Sequence, residues 1–407
     1  MRCGLLGRKL GHSYSPQIHS MLGEYSYELF EKEPDELESF LKYGNFHGLN
    51  VTIPYKKSVI PYCDALSSTA KKLGAVNTIV RREDGTLLGH NTDYFGFMSM
   101  LEESKLTVAD KKVLVLGSGG ASNTAVAVLE EVGAKVVVVS RSGENNYRNL
   151  YLHADAAVIV NTTPVGMYPH NGESPISLDD FTKLEGVLDV IYNPARTKLL
   201  LDAQKRDLVA MNGLWMLVAQ AKESSEMFQN ATIADAQIRV IHHRLRSRME
   251  NIILIGMPGC GKSTVAKQIA RQTGRKVVDS DKEIEALAGK SIPDIFAESG
   301  EEVFRSYETQ VLASLGKQSG LIIATGGGCV TRQENYPHLH QNGTIIWLQR
   351  DIQALATDGR PLSVAGSLEQ MYCSRKPLYE AFSDYQVENR TPRQASEEIL
   401  HIIGVSI

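Results

Sequence analysis

The sequence contains no apolar run long enough to cross a bilayer. Its longest runs, such as VLVLG at 113–117 and KVVVV at 135–139, have the length of buried strands, whereas a transmembrane helix needs about 20 apolar residues. Arg2, Arg8 and Lys9 lie near the N-terminus, but no apolar core of signal-peptide length follows them. We therefore expect neither a membrane partner nor a secretory signal.

Cysteine is scarce, and no charge of one sign dominates. The five cysteines form no CxxC pair, and an odd number without such pairs is typical of reduced thiols in the cytoplasm. The 43 basic and 47 acidic residues give a net charge of −4, so the surplus of basic residues that nucleic acid or an anionic membrane attracts is missing. We expect a cytoplasmic protein with small-molecule partners, and homo-oligomerisation stays open.

The 407 residues suit two or three globular domains, and 43% hydrophobic content excludes a disordered chain. Strand-like and helix-like stretches alternate, which predicts an α/β fold with largely parallel sheets. We predict a substrate-binding α/β domain at 1–101, onto which helices from 213–248 pack back. A Rossmann-type domain with four strands is predicted at 102–212, and a P-loop domain with a parallel sheet at 251–407.

The first phosphate loop is KVLVLGSGGASNTA at 112–125, which has the strand, turn and helix pattern of a dinucleotide site. Gly117 suits the tight turn, Gly119 lets the backbone approach a pyrophosphate, and Gly120 or Ala121 keeps the helix close to the sheet. An NAD enzyme places an acidic residue at the end of the next strand, but this sequence has Ser140, Arg141 and Ser142 there. A guanidinium flanked by hydroxyls suits a 2′-phosphate, so NADP(H) is predicted rather than NAD.

Four polar turns separate the apolar runs of the first domain. They are GHSYSPQIHS (11–20), NVTIPYKK (50–57), GAVNTIV (74–80) and GHNTDYFG (89–96). Together with NTTPVGM (161–167), DVIYNP (189–194) and NGLWMLVAQA (212–221), they make residues 3–230 resemble shikimate dehydrogenase.

The resemblance to shikimate dehydrogenase implies a set of site residues. Those assigned to the substrate are Ser13, Ser15 and Tyr192 at its carboxylate and Thr52, Asn77 and Gln220 at its ring oxygens. Lys56 and Asp93 would form the dyad that handles the proton, with Asp93 also contacting the substrate, and Gly213 would belong to the cofactor site. The alternative for this half is a dehydrogenase of related substrates such as quinate.

The second phosphate loop is GMPGCGKS at 256–263, which matches GxxxxGK[ST] at every position. In such a loop Lys262 reaches the β- and γ-phosphates and the hydroxyl of Ser263 ligates Mg²⁺. The residues expected to surround the nucleotide are Gly259, Cys260, Gly261, Lys262, Ser263 and Thr264. ATP with Mg²⁺ is the predicted ligand.

Further polar motifs follow the second loop in the order found in shikimate kinase. They are DSD (279–281), GEEVFRSYE (300–308), TGGGCV (325–330), GRPL (359–362) and SRKPLY (374–379), so that residues 251–395 resemble that family. The resemblance assigns Asp279 to the Mg²⁺ shell and Asp281 to the shikimate hydroxyls. It assigns Arg305 and Arg375 to the shikimate carboxylate and Arg360 to the lid. It also implies that the pocket is lined by Gly326, Gly327 and Gly328.

One departure concerns the lid, which reads ALATDGRPLS at 354–363. The family's arginine that packs on adenine is replaced there by Ala356 or Thr357, which predicts weak selectivity for the base.

Taken together, the two resemblances imply a bifunctional enzyme. It would reduce 3-dehydroshikimate to shikimate with NADPH and then phosphorylate shikimate at the 3-hydroxyl with Mg-ATP. The alternative is a quinate/shikimate dehydrogenase fused to a non-catalytic P-loop module that senses ATP.

Overall fold

The computed structural model describes residues 1–11, 13–355 and 368–405. The chain divides into two compact units. The first comprises Met1–Val165, Ser174–Tyr192 and Asp202–His242, and the second comprises Gly166–Glu173, Asn193–Leu201 and His243–Ile407. The domain boundaries predicted from the sequence stay predictions, since these units are defined by compactness alone.

A mixed six-stranded sheet opens the first unit, with the strand order β2-β1-β3-β5-β6-β4. Its strands are β1 (Arg2–Gly7), β2 (Ser26–Glu31), β3 (Gly48–Val51), β4 (Ala65–Leu66), β5 (Thr78–Arg81) and β6 (Leu87–His90). Its helices are α1 (Ser15–His19), α2 (Leu37–Tyr43), α3 (Ser68–Leu73) and α4 (Asp93–Ser104). β5 is antiparallel to both β3 and β6. For β6 the reason is local, because the turn from β5 is too short for a parallel crossover.

A second, fully parallel sheet in the first unit has the order β11-β10-β9-β7-β8. Its elements are β7 (Lys112–Leu116), α5 (Gly120–Glu131), β8 (Lys135–Val139), β9 (Val158–Asn161), β10 (Gly186–Asp189), α6 (Lys198–Gln204) and β11 (Val209–Asn212). The prediction of four strands was wrong, because β11 adds a fifth. This strand is short and lies at the sheet edge, and its apolar run LVAM at 208–211 is too brief to be told from a buried helix segment by periodicity alone.

The helices after β11 are α7 (Leu214–Gln229) and α8 (Ala236–Met249). α7 lies along α4, where a Cβ on Gly96 would come within 2.8 Å of the carbonyl of Met216. The ring of Phe228 covers Gly48 in β3, since a Cβ there would be 2.2 Å from it. α7 therefore follows the second sheet in the chain but packs its side chains against the first sheet.

The third sheet, in the second unit, is parallel with the order β13-β14-β12-β15-β16. Its strands are β12 (Asn251–Ile255), β13 (Val277–Asp279), β14 (Ile322–Ala324), β15 (Gly343–Gln349) and β16 (Tyr385–Glu388). Its helices are α9 (Lys262–Thr273), α10 (Ser280–Ala288), α11 (Ile292–Gly316), α12 (Asn335–His340), α13 (Leu368–Phe382) and α14 (Pro392–Ile402). α11 is interrupted at Gly300, whose φ is +79°.

Short 3₁₀ helices complete the description at Pro34–Glu36, Ile60–Tyr62, Leu150–His153, Cys329–Thr331 and Ile352–Ala354. The predicted α/β fold class with largely parallel sheets is confirmed. Within the described ranges, no helix is both long and apolar enough to cross a membrane.

Candidate active sites

A lysine and a carboxylate form the centre of the first candidate site. Lys56 follows β3, and Asp93 is the first residue of α4. Lys56 Nζ donates to Asp93 Oδ2 at 2.6 Å, and the two side chains are 32% and 17% exposed. The backbone on both sides is held, because Val76 N donates to Lys56 O and Asp93 N donates to Asn91 Oδ1. The pair is thus fixed in place while part of each head group stays accessible.

Amide and hydroxyl groups extend from this pair. Asn77 Nδ2 donates to Thr92 Oγ1 at 3.0 Å, and Thr92 N donates to Asn77 Oδ1 at 2.7 Å. Thr92 Oγ1 also lies 3.4 Å from Gln220 Oε1. Since Thr92 immediately precedes Asp93, these contacts bring Asn77 and Gln220 beside the Lys56–Asp93 pair. Sequence reasoning assigned no role to Thr92, although it lies within one of the polar turns.

The turn that precedes α1 carries the next predicted residues. Ser15 N donates to Ser13 Oγ at 3.2 Å, and the ring of Tyr14 meets the ring of Tyr192 edge-on, with centroids 6.1 Å apart. Burial raises the pKa of the Tyr192 phenol, which keeps its hydroxyl protonated as a donor. The turn and Tyr192 are therefore neighbours, as the resemblance requires. Thr52 lies just after β3, and its N donates to Leu6 O at 2.9 Å.

A buried polar layer supports the first site, and sequence reasoning missed it. Tyr27 Oη donates to Asn50 Oδ1 at 2.7 Å, and Asn50 Nδ2 donates to Thr78 Oγ1 at 3.3 Å. His19 stacks on Tyr27 with centroids 3.9 Å apart, and burial lowers its pKa to about 3, so the imidazole is neutral. These residues come from α1, β2, β3 and β5, and no local pattern in the sequence links them.

The dinucleotide loop joins β7 to α5 and leaves open space above the helix. Gly117 has a φ of +109°, and a Cβ there would come within 2.8 Å of Thr162 Oγ1. At Gly119 and Gly120, by contrast, an added Cβ would meet no atom within 4 Å. The N-cap residue of α5 is Gly119, which has no side chain to cap the helix, so the first amides of α5 suit a pyrophosphate. Ala121 lies in the first turn of the helix.

The turn after β8 carries the basic residue expected at the cofactor. Ser140 N donates to Asn145 O at 3.1 Å, which holds the start of the turn. Arg141 is exposed, and no other described residue forms a hydrogen bond or an ion pair with its guanidinium. Ser142 follows it and is also exposed. The guanidinium is therefore available for an anionic group.

Three of the signature motifs serve as supports for these loops. Asn161 Nδ2 donates to Asp189 Oδ1 at 3.1 Å, with both residues fully buried, and Thr163 Oγ1 donates to Asn161 Oδ1 at 2.7 Å. Gly213 precedes α7, and a Cβ there would lie 2.0 Å from the carbonyl of Val190. Glycine is needed at this position because the chain passes directly over the turn after β10.

The second candidate site begins at the P-loop between β12 and α9. Lys262 is 8% exposed, and its Nζ donates to Gly256 O at 2.8 Å and Met257 O at 3.0 Å. Ser263 Oγ donates to Asp279 Oδ2 at 3.0 Å. Among the described residues no three His, Cys, Asp or Glu side chains cluster as metal ligands. One hydroxyl and one carboxylate suit Mg²⁺, which is usually bound by few protein oxygens together with substrate phosphates.

The remaining P-loop residues are held by tight backbone packing. Gly259 and Gly261 have φ values of +84° and +99°, which favour glycine. Asn389 Nδ2 donates to Cys260 O at 2.7 Å, and the Cys260 side chain is fully buried. Cys260 therefore fills the core, and Thr264 extends the loop into the first turn of α9.

A cavity of about 660 Å³ extends from the P-loop. Its predicted lining residues are Asp281, Arg305, Gly326, Gly327, Gly328 and Arg375, together with P-loop residues. Each glycine leaves room for a neighbouring residue. A Cβ on Gly326 would lie 2.8 Å from Asp281 Oδ1, and one on Gly327 would lie 2.7 Å from Pro258 Cδ. A Cβ on Gly328 would lie 2.3 Å from Arg305 Nη1. The glycine turn is thus packed between the P-loop and the charged side chains.

The charged side chains of this cavity lie close enough to shift one another's pKa values. Arg305 Nη1 donates to Glu308 Oε2 at 2.7 Å, and Glu308 is fully buried. Burial raises the pKa of Glu308 although Arg305 acts in the opposite direction, and Glu308 Oε1 has no hydrogen-bond partner in the described part of the chain. Burial, and next to it the charge of Asp279, raise the pKa of Asp281.

Sequence reasoning missed several lining residues of this cavity. They include Glu308, Glu285, Phe296, Phe304 and Arg350. Only Glu308 had a usable signal, because it follows Arg305 by three residues on a helix and so shares its face. Arg360, Ala356 and Thr357 lie outside the described residues, and the expectations placed on them stay predictions.

Comparisons with known proteins match both halves of the chain. Residues 5–79 match the family model described as shikimate dehydrogenase substrate binding domain, and residues 258–404 match the model described as shikimate kinase. A shikimate dehydrogenase (NADP(+)) of Clostridium beijerinckii is 37% identical over 251 residues, which cover 56% of this chain and 92% of the relative. One from Clostridium perfringens is 37% identical and covers 60% of this chain and 98% of the relative.

Solved structures resemble the same part of the chain. Shikimate dehydrogenase 1 from Peptoclostridium difficile has a TM-score of 0.55 at 38% identity and covers 60% of this chain and 97% of its own. A chorismate mutase/shikimate 5-dehydrogenase fusion protein from Clostridium acetobutylicum has a TM-score of 0.57 at 37% identity, with 60% of this chain and 96% of its own covered.

Proposed function

The chain belongs to the shikimate dehydrogenase family and carries a shikimate kinase domain, and from this premise we propose that it catalyses two consecutive reactions on one substrate. The first is the NADPH-dependent reduction of 3-dehydroshikimate to shikimate, and the second is the Mg-ATP-dependent phosphorylation of that shikimate at its 3-hydroxyl. Both resemblances drawn from the sequence motifs are confirmed. All five cysteines are free thiols, and a cytoplasmic location stays a prediction.

The Lys56–Asp93 contact carries the proposal for the reduction. NADPH, when bound, supplies the hydride that reduces the ketone, and the alkoxide that develops must be protonated. An ammonium held at 2.6 Å by a carboxylate supplies both positive charge and a proton at that point. Asn77 and Gln220 would hold the ring oxygens beside the pair, while Ser13, Ser15, Thr52 and Tyr192 complete the substrate site.

The shared cavity carries the proposal for the phosphorylation. A module that only senses ATP needs no acceptor site, yet Asp281, Arg305 and Arg375 line the same cavity as Lys262 and Ser263. Lys262 would neutralise the phosphates, Ser263 and Asp279 would hold Mg²⁺, and Asp281 would orient the acceptor hydroxyl. Catalysis of this kind depends mainly on positioning and charge neutralisation. Arg360 is proposed as the arginine that closes on the transferred group.

A coupled assay tests the whole proposal. Purified protein is supplied with 3-dehydroshikimate, NADPH and Mg-ATP, and shikimate, shikimate 3-phosphate, NADP⁺ and ADP are each measured over time. We expect one equivalent of NADP⁺ and one of ADP for each molecule phosphorylated. Faster turnover of quinate than of shikimate would favour the alternative dehydrogenase, and ATP binding without ADP formation would favour the sensor.

The cofactor preference is tested at Arg141. We expect Arg141→Ala to weaken NADPH binding on the order of 10- to 100-fold, because a charge-assisted contact contributes about 1.5–3 kcal/mol. NADH binding should stay nearly unchanged, because NADH has no 2′-phosphate. Dissociation constants for both cofactors, measured by fluorescence titration, provide the readout. Lys135→Ala, an exposed cation at the opposite end of β8, is the matched control. Equal weakening of both cofactors would show that Arg141 does not contact the 2′-phosphate.

A further inference from the structure

Tyr379 is a fully buried residue of α13 that contacts the glycine turn. Its hydroxyl donates to the carbonyl of Gly327. Arg375, one helical turn earlier on the same face, donates to the same carbonyl from Nη1 at 3.3 Å. Two side chains of one helix thus bind the central peptide of the turn that lines the acceptor pocket.

The other contacts of Tyr379 lie at the nucleotide side of the cavity. Its hydroxyl is 3.9 Å from the sulfur of Met257 in the P-loop. Its ring stacks on Trp347, with centroids 5.6 Å apart and planes inclined by 22°. Trp347 in turn underlies the start of the P-loop, since a Cβ on Gly256 would lie 3.4 Å from its ring. Tyr379 therefore contacts both the loop that holds the phosphoryl donor and the turn that holds the acceptor.

The hydroxyl is the chemically significant part of this side chain. Burial raises the pKa of the Tyr379 phenol, so the group stays protonated and remains a donor. Glycine has the greatest backbone freedom of any residue, and a run of three glycines needs an external contact to hold one conformation. If the hydroxyl were absent, Arg375 would be the one side chain among the described residues left to bind the Gly327 carbonyl, and its guanidinium is proposed to bind the substrate carboxylate.

We propose that Tyr379 is a positioning residue of the phosphoryl transfer, and this rests on the proposed kinase function. Its hydroxyl orients the Gly327 peptide, which sets the spacing between the P-loop and the acceptor pocket and leaves Arg375 directed at the substrate. Transfer rates depend steeply on such spacing, because a misplacement of about 1 Å can cost a hundredfold in rate. The residue acts through the turn and the loop and takes no part in the chemistry itself.

The test is Tyr379→Phe, which removes the hydroxyl and keeps the ring on Trp347. We expect kcat for shikimate phosphorylation to fall about tenfold, a part of the loss that a 1 Å displacement causes. KM for ATP should stay within about twofold, since the P-loop contacts of the nucleotide are unchanged. The dehydrogenase kcat, measured on the same preparation, should equal that of the unchanged enzyme, and the melting temperature should fall by only a few degrees, because one buried hydrogen bond is lost.

Tyr336→Phe is the matched control, because Tyr336 belongs to the same domain and stacks on His340 without contacting either loop. Normal phosphorylation by Tyr379→Phe would overturn the proposal. A fall in kcat that comes with a loss of dehydrogenase activity, or with a drop in melting temperature much larger than those few degrees, would also overturn it, because the role would then be structural. If the unchanged enzyme failed to phosphorylate shikimate, the proposed kinase function would fail and this proposal with it.

Discussion

Lys56→Ala is expected to lower kcat for the reduction of 3-dehydroshikimate by about 10²- to 10⁴-fold, the range that general acid–base catalysis contributes. Alanine removes the ammonium that lies 2.6 Å from Asp93, so the developing alkoxide loses both its stabilising charge and its proton. Phosphorylation of shikimate should continue at its original rate, because the P-loop cavity belongs to the other compact unit. Both rates are measured on one preparation, by NADPH absorbance and by ADP release.

The neighbouring residue provides a close control for this experiment. Lys57 is exposed and follows Lys56 directly, so Lys57→Ala removes the same charge from the same turn without touching Asp93. We expect it to retain normal dehydrogenase activity. If Lys57→Ala lost as much activity as Lys56→Ala, net charge of the turn would explain the effect. If Lys56→Ala lost both enzyme activities, its role would be structural.

Lys262→Ala is expected to lower kcat for phosphorylation on the order of 10²- to 10³-fold, the cost of removing one preorganised group that stabilises transition-state charge. In the structure Lys262 Nζ is held by the carbonyls of Gly256 and Met257, directly within the loop that would surround the phosphates. Reduction of 3-dehydroshikimate should proceed normally. The measurement is ADP release with saturating shikimate, beside NADPH oxidation.

Lys267→Ala supplies the comparison for this second variant. Lys267 lies on the same helix, α9, but is exposed to solvent, and the cavity is lined by other residues. The Lys267→Ala variant should phosphorylate shikimate at the rate of the unchanged enzyme. If Lys262→Ala kept more than about a tenth of the kinase activity of the unchanged enzyme, Lys262 would not belong to the proposed catalytic residues. A loss of less than about tenfold is smaller than the loss expected when one charged contact is removed.

The two proposed sites would bind the same ring carboxylate by different means. Ser13, Ser15 and Tyr192 offer only neutral hydroxyls, whereas the kinase cavity offers Arg305 and Arg375. The second site must also hold a polyanionic nucleotide near the substrate, and additional cations offset that accumulation of negative charge.

The features that follow from the sequence alone are those built from contiguous residues. The P-loop GMPGCGKS and the dinucleotide loop GSGGAS each form within one strand–turn–helix unit, so residue order alone specifies their geometry. The alternation of strands and helices likewise predicted the α/β class, because side-chain periodicity is a local property. The edge strand β11 escaped this reasoning, since its short apolar run LVAM at 208–211 does not distinguish a strand from a helix segment.

Contacts between distant side chains depend on the tertiary structure. The family resemblance implied the pairing of Lys56 with Asp93, but their contact across 37 positions forms because the segment after β3 lies beside the start of α4. The contact of Tyr379 with Gly327 spans 52 positions, and the unpartnered oxygen of Glu308 exists only because the surrounding chain buries it. Such contacts arise from packing between elements, and a single sequence holds no local signal for them.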